Sequence, residues 1–183
     1  MSDKFFYRLA ASKKASIAQN LIDVLEKGAV IEKDTATFIC NWILTGPKEK
    51  GKAFFDVWDF VLNNYMPTTR PILFRSCSRR SDGKIASFTG RLECARRFSE
   101  NRGFLLICDT AEELRYEEKL CKRGEYRHTF YPLSELIKRD DIAEHHVFSE
   151  GIRRDYIGED EYIMRVDLGN MCTFKWHKEA VIV

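Results

Sequence analysis

The sequence predicts an α+β fold, a helical N-terminal lobe followed by a mixed-sheet region, on two observations. Apolar residues of the first third recur at helical spacings, and after Pro67 short β-branched and aromatic runs alternate with polar turns. The length of 183 residues leaves room for about one domain. With 44% hydrophobic and 13% aromatic residues, the chain has the bulk to fill a core, which excludes disorder over most of its length.

From Ala15 to Lys27, Ile17, Leu21 and Val24 follow at spacings of four and three, so they share one face of an amphipathic helix that ends near Gly28. A second helix is predicted from an Asp34-Thr35 cap through Phe38, Ile39, Trp42 and Ile43 to the break at Gly46-Pro47. A third carries Phe54, Phe55, Trp58, Val61 and Leu62. Strands are predicted over Ile72 to Arg75, Gly103 to Asp109, Tyr162 to Val166, Cys172 to Trp176 and Ala180 to Val183. Ile85 to Gly90 reads as a further strand, and Arg91 to Glu100, with Leu92, Ala95 and Phe98, as a short helix. The charged segment from Ala111 to Gly158 shows no clear period. The expected organisation is a helical lobe over residues 1–66 and a sheet region over 67–183, sharing a core.

Thirty basic against twenty-eight acidic residues leave a net charge of +2, a dense but balanced surface that argues against a general nucleic-acid coat protein. Six cysteines, at positions 40, 77, 94, 108, 121 and 172, are spread through a chain too long to depend on disulfide staples, and read as reduced thiols. No apolar stretch approaches the roughly 18 to 20 residues of a membrane span, and the first residues lack a signal-peptide core. The expectation is a soluble, cytoplasmic protein without a membrane partner.

Absent motifs remove reaction classes. There is no phosphate loop ending in Lys and Ser or Thr, no GxGxxG, no nucleophile elbow and no paired His on a zinc-binding helix. Only Cys121 and His128 are even loosely spaced for a metal, so none is expected. His145 and His146 follow Glu144 in a polar stretch and read as a solvated turn or helix end.

Three segments carry candidate chemistry. In Ile72-Leu73-Phe74-Arg75-Ser76 an arginine closes an apolar strand, which alone reads as a surface salt-bridge partner. In Ser87-Phe88-Thr89 the alternation of an extended backbone puts both hydroxyls on one face and Phe88 toward the core. In Glu159-Asp160-Glu161, Glu159 and Glu161 share a face if the segment is extended, and alone the cluster reads as a solvated acidic turn. Two carboxylates on one face repel, so one holds its proton more tightly or each serves a different partner.

In order and spacing, these segments together resemble the mono-ADP-ribosyltransferases of the Arg-Ser-Glu type, and the small transferases of T-even-type phages in particular. The resemblance covers about Ile72 to Met164 and the layout of the N-terminal lobe. It implies a split β-sheet ADP-ribosyltransferase core over 67–183, in which a cleft binds NAD as substrate. It implies cleavage of the nicotinamide–ribose bond and transfer of ADP-ribose to an acceptor protein in a host cytoplasm, with arginine as the acceptor side chain. By the same resemblance Arg75 grips the diphosphate or adjoining ribose, Ser87 bonds near the nicotinamide ribose, and Thr89 braces the strand and the Glu159 side. Glu161 holds the ribose hydroxyl and stabilises the oxocarbenium-like ribose, while Glu159 faces and activates the acceptor.

An aromatic ring stacks on nicotinamide in that family. Phe130 and Tyr131 are candidates for it and equally candidates for the core. The family's Ser-Thr-Ser is here Ser87-Phe88-Thr89, Arg75 is followed by Ser76 in place of the Gly common there, and no Pro-Gly turn follows the glutamates. The alternatives are a NAD glycohydrolase with the same site, or a non-catalytic module that binds protein or nucleic acid through clusters at Lys48 to Lys52, Arg75 to Arg80 and Arg91 to Arg97. A nucleic-acid acceptor for ADP-ribose remains a third.

Overall fold

The periodic N-terminal third forms three helices, α1 (Ala11–Lys27), α2 (Lys33–Leu44) and α3 (Lys52–Asn64), in a computed structural model that describes residues 7–99, 102–115, 126–145, 154, 156 and 158–176. Gly28, at φ 68°, closes α1 in the left-handed conformation that costs a glycine nothing. The expected Asp34-Thr35 cap is corrected. The N-cap residue of α2 is Glu32, and Asp34 lies inside the first turn, where its charge complements the positive end of the helix dipole.

Among the described residues six antiparallel strands follow: β1 (Ile72–Cys77), β2 (Ile85–Thr89), β3 (Phe104–Asp109), β4 (Phe130–Tyr131), β5 (Glu161–Arg165) and β6 (Cys172–Lys175). The sheet order is β4-β5-β2-β1-β3-β6. The pairing is uneven across it. β1 and β3 pair from Ile72↔Asp109 to Cys77↔Phe104, and β2 and β5 from Ile85↔Arg165 to Thr89↔Glu161. Between β1 and β2 the ladder is the single pair Phe74↔Thr89. The sheet is thus two three-stranded halves, joined at one register position and unpaired along the rest of their shared edge. Arg75 is not a strand end, since β1 continues to Cys77. The strand expected over Ala180 to Val183 lies outside the described residues.

Helix α4 (Leu92–Ser99) follows β2 as expected, and of its apolar residues Leu92, Ala95 and Phe98 it buries Ala95 alone. Leu92 and Phe98 are exposed, and Cys94, Ala95 and Ser99 are buried. The Ser76 hydroxyl donates to the Ala95 carbonyl at 2.5 Å, which brings the helix backbone so close to β1 that small side chains must face the sheet. The short helices α5 (Leu133–Ile137) and α6 (Asp140–Ala143) and the two-residue β4 lie in the charged segment that showed no period.

Two apolar clusters fill the interior. The larger joins α1, α2 and α3 to the β4-β5-β2 half, with Ile17, Leu21, Phe38, Trp58 and Val61 in one body with Ile85, Tyr131, Leu133 and Ile163. The smaller, around Leu73, Phe88, Leu106 and Met164, lies across both halves of the sheet. Among the described residues no helix is long and apolar enough to cross a membrane.

Candidate functional site

The site lies where the two halves of the sheet part. Past Phe74↔Thr89 the ladder between β1 and β2 would continue through Arg75, and there a side chain takes the place of backbone pairing. Arg75 Nη1 donates to the Ser87 carbonyl at 2.6 Å. Burial pulls the guanidinium below its ordinary pKa, and the charge of Glu161 is among the effects that oppose this.

A cavity of about 440 Å³ opens at this junction, and Arg75, Ser87, Thr89, Glu159 and Glu161 all line it. Thr89 is the residue of β2 that pairs with both neighbours, Phe74 and Glu161. Its hydroxyl donates to the Glu159 carbonyl at 2.6 Å and accepts the Arg91 N–H at 3.1 Å, which ties the acidic turn to the start of α4. The Ser87 hydroxyl, on the same face, has no hydrogen-bond partner among the described residues and is available to a ligand.

The two glutamates reach the cavity by a route other than the expected one. β5 begins only at Glu161, and Asp160, at φ 48°, is in the left-handed region, so Glu159 and Glu161 do not share the face of an extended strand. A turn held from α4 presents Glu159, with Arg91 Nη1 donating to the Gly158 carbonyl at 3.2 Å. Arg97 Nη2 approaches Glu159 Oε1 at 3.4 Å. Glu161 is 8% exposed, and Trp42 Nε1 of α2 donates to its Oε1 at 3.2 Å.

The N-terminal lobe supplies a wall that the motifs gave no hint of. Leu44, Gly46, Pro47 and Lys50, from the end of α2 and the connection to α3, line the cavity. Lys50 Nζ sits 3.4 Å from the centroid of the Trp42 ring. Burial brings its pKa down to about 8; the charge of Glu161 opposes the shift and those of Arg75 and Lys84 add to it. In sequence Lys50 belonged to a basic cluster and Trp42 to the apolar face of a helix, so neither stood out.

Phe130 and Tyr131 are core residues, 1% and 0% exposed, and the Tyr131 hydroxyl donates to the Leu21 carbonyl at 2.8 Å. The aromatic side chains lining the cavity are Phe74, Phe88, Phe98 and Tyr156. A second, basic pocket of about 750 Å³ shares Gly46, Pro47, Arg75 and Ser76 with the first and adds Lys48, Arg79 and Lys84.

Of the remaining candidates, His128 and His145 are not among the residues that line the cavity. His128 is buried, its ring nitrogen 3.3 Å from the Asn170 carbonyl, and His145 Nε2 donates to the Ile31 carbonyl at 2.8 Å. Cys121 and His146 lie outside the described residues. Among those described, no group of three or more His, Cys, Asp or Glu is placed to hold a metal ion.

Chemically, the cavity sets two cations and two carboxylates around a free hydroxyl, with exposed apolar side chains of Leu44 and Phe98 in its lining. Such a set can pair its cations with an anionic group and its carboxylates with a positive one in the same cavity. Compared with protein families, with curated proteins and with solved structures, the chain finds no match.

Proposed function

We propose that the chain is a NAD-dependent mono-ADP-ribosyltransferase that breaks the nicotinamide–ribose bond and passes ADP-ribose to a protein side chain, arginine being the acceptor. The observation that carries this reading is the convergence of Arg75, Ser87, Thr89, Glu159 and Glu161, from separate segments of the chain, on one cavity at the parting of the sheet.

In this reading Arg75 spends one N–H on the Ser87 carbonyl and offers its remaining donors to the diphosphate, with Lys50 as a second cation. The Ser87 hydroxyl bonds the nicotinamide ribose. Glu161 bonds the ribose hydroxyl and faces the positive charge that grows on the ribose as nicotinamide departs with the bonding electrons. Glu159 already holds a guanidinium, that of Arg97, and an acceptor arginine would present the same group. There the carboxylate orients the incoming nitrogen and takes its proton as the new bond to the ribose carbon forms.

A carboxylate lost from beside a developing cation costs on the order of 10²- to 10³-fold in turnover, as loss of an oxyanion-hole donor does with the sign reversed. Labelled NAD incubated with the protein and a bacterial lysate is therefore expected to give nicotinamide release and labelled macromolecules. Glu161→Gln should lose both by about that factor while its Kd for NAD changes by about threefold or less. Nicotinamide release without label would make the protein a NAD glycohydrolase. Neither signal, with steeply salt-dependent nucleic-acid binding in its place, would leave a binding module and end the transferase reading.

A further inference from the structure

Glu161 is 8% exposed, and a carboxylate so placed needs donors to offset its lost hydration. Among the described residues only Oε1 has one, the indole N–H of Trp42 at 3.2 Å. Oε2 bonds to nothing among the described residues, yet it is not one of the sealed, unpartnered side-chain atoms, which there are Thr35 Oγ1 and Trp58 Nε1. Because Glu161 lines the cavity, Oε2 is the oxygen that opens onto it.

We propose that Trp42 is a positioning residue for Glu161: its N–H fixes Oε1 and thereby presents Oε2 to the ribose of the bound dinucleotide, which makes the N-terminal lobe part of the site. This inference rests on the transferase reading above and adds to it the residue that sets the carboxylate.

Three features make Trp42 suited to that task. It is 1% exposed and held edge-on by Phe54 and Trp58 at ring-centroid distances of 5.7 and 5.6 Å, so the indole cannot turn away. Its face carries the Lys50 ammonium, which places a positive charge beside the same carboxylate. An indole N–H donates and never accepts or titrates, so it enforces one carboxylate orientation at any working pH. The donor sits in the core of the lobe and the acceptor at the first position of β5, so the hydrogen bond depends on how lobe and sheet are docked.

The test is Trp42→Phe, which keeps a ring in the aromatic cluster and removes the donor, beside Ile17→Ala, which opens the lobe's core from α1 and leaves Trp42 and the two rings that hold it unchanged. Steady-state NAD cleavage and thermal melting are measured on both. Trp42→Phe is expected to lower kcat about tenfold or more with KM for NAD within about threefold of the parent, because a misdirected carboxylate fails mainly in the transition state. Ile17→Ala is expected to lower Tm at least as much and to retain kcat. An unchanged kcat in Trp42→Phe, or kcat losses that track Tm in both variants, would overturn the positioning role while the transferase reading stands. Parent protein that releases no nicotinamide would overturn the reading itself, and this inference with it.

Discussion

Lys50 shows what it costs the fold to hold an ammonium in the wall of the cavity. Its pKa falls to about 8 from the ordinary 10.5, chiefly because burial disfavours the ammonium. A folded-state pKa below the unfolded one means that the unfolded chain binds more protons between about pH 8 and 10.5, so stability rises with pH through that window. Below it the penalty is present in full. Lys50→Met should therefore stabilise the protein at pH 7 by about 1 kcal/mol, discounted because the side chain is partly exposed and loses its attraction to Glu161. The gain should vanish near pH 10.5. The same substitution removes a cation from the cavity and is expected to raise the Kd for NAD about tenfold at pH 7. Parent affinity should decline as pH rises through 8, and the affinity of the variant should not. Urea unfolding at pH 7 and 10 and calorimetric titration with NAD at pH 7 and 9 check both signs. A destabilised Lys50→Met with undiminished affinity would show that the ammonium belongs to the fold and not to the ligand.

Between residues and fold, the turn from Gly158 to Asp160 shows what the sequence made legible and what it hid. Long helices were readable because Ile17, Leu21 and Val24, or Phe38 and Trp42, repeat a period over several turns. β4 and α5 were not, since two to five residues cannot display a period. Arg75, Ser87-x-Thr89 and Glu159-x-Glu161 all line one cavity, yet the extended segment on which a shared face for the two glutamates depends is absent. One left-handed residue, Asp160, redirects Glu159, and alternation of side chains carries no sign of it. Trp42 and Lys50 escaped notice for another reason: an indole on an apolar helix face and a lysine in a basic loop look like core and surface until the lobe is docked. The turn also depends on Gly90, whose N–H donates to the Asp160 carbonyl at 3.2 Å. A Cβ at Gly90 would collide with the Asp160 carboxylate, which Ser134 Oγ already holds at 3.2 Å, and would press on Tyr162. Gly90→Ala is expected to destabilise by about 1–2 kcal/mol and to shift the amide resonances of residues 158–162, read by urea unfolding and two-dimensional NMR. A loss of less than about 0.3 kcal/mol with unmoved resonances would mean that the turn is set elsewhere.

For the molecule as a whole, the question is whether the helical lobe could be removed and leave a working sheet. The contacts argue that it could not. The lobe covers Ile85, Tyr131, Leu133, Leu136, Ile137 and Ile163, each 5% exposed or less, and exposing one such side chain costs about 1.5–3 kcal/mol. Together these are as large as the roughly 5–15 kcal/mol that holds a whole domain folded. Polar ties point the same way. Arg139 donates to the Val24 and Ala29 carbonyls at 3.4 and 3.0 Å, a cation at the C-terminal end of α1, and the Ile31 N–H donates to Asp141 at 3.3 Å. The full chain is therefore expected to unfold in one transition, with far-UV circular dichroism and tryptophan fluorescence giving the same urea midpoint. The two probes weigh the parts differently, since two of the three tryptophans, Trp42 and Trp58, report from the lobe, with Trp176 beside β3, while the backbone signal comes from both parts in proportion to their length. A fragment of residues 67–183 should show no cooperative melt and no near-UV signal. If that fragment folded, the large cluster would be two cores in contact, and Trp42 would meet Glu161 across a movable interface. If it does not, the lobe that fixes Glu161 and the sheet that carries it are one folding unit, and a substitution deep in α2 can reach the chemistry without touching the ligand.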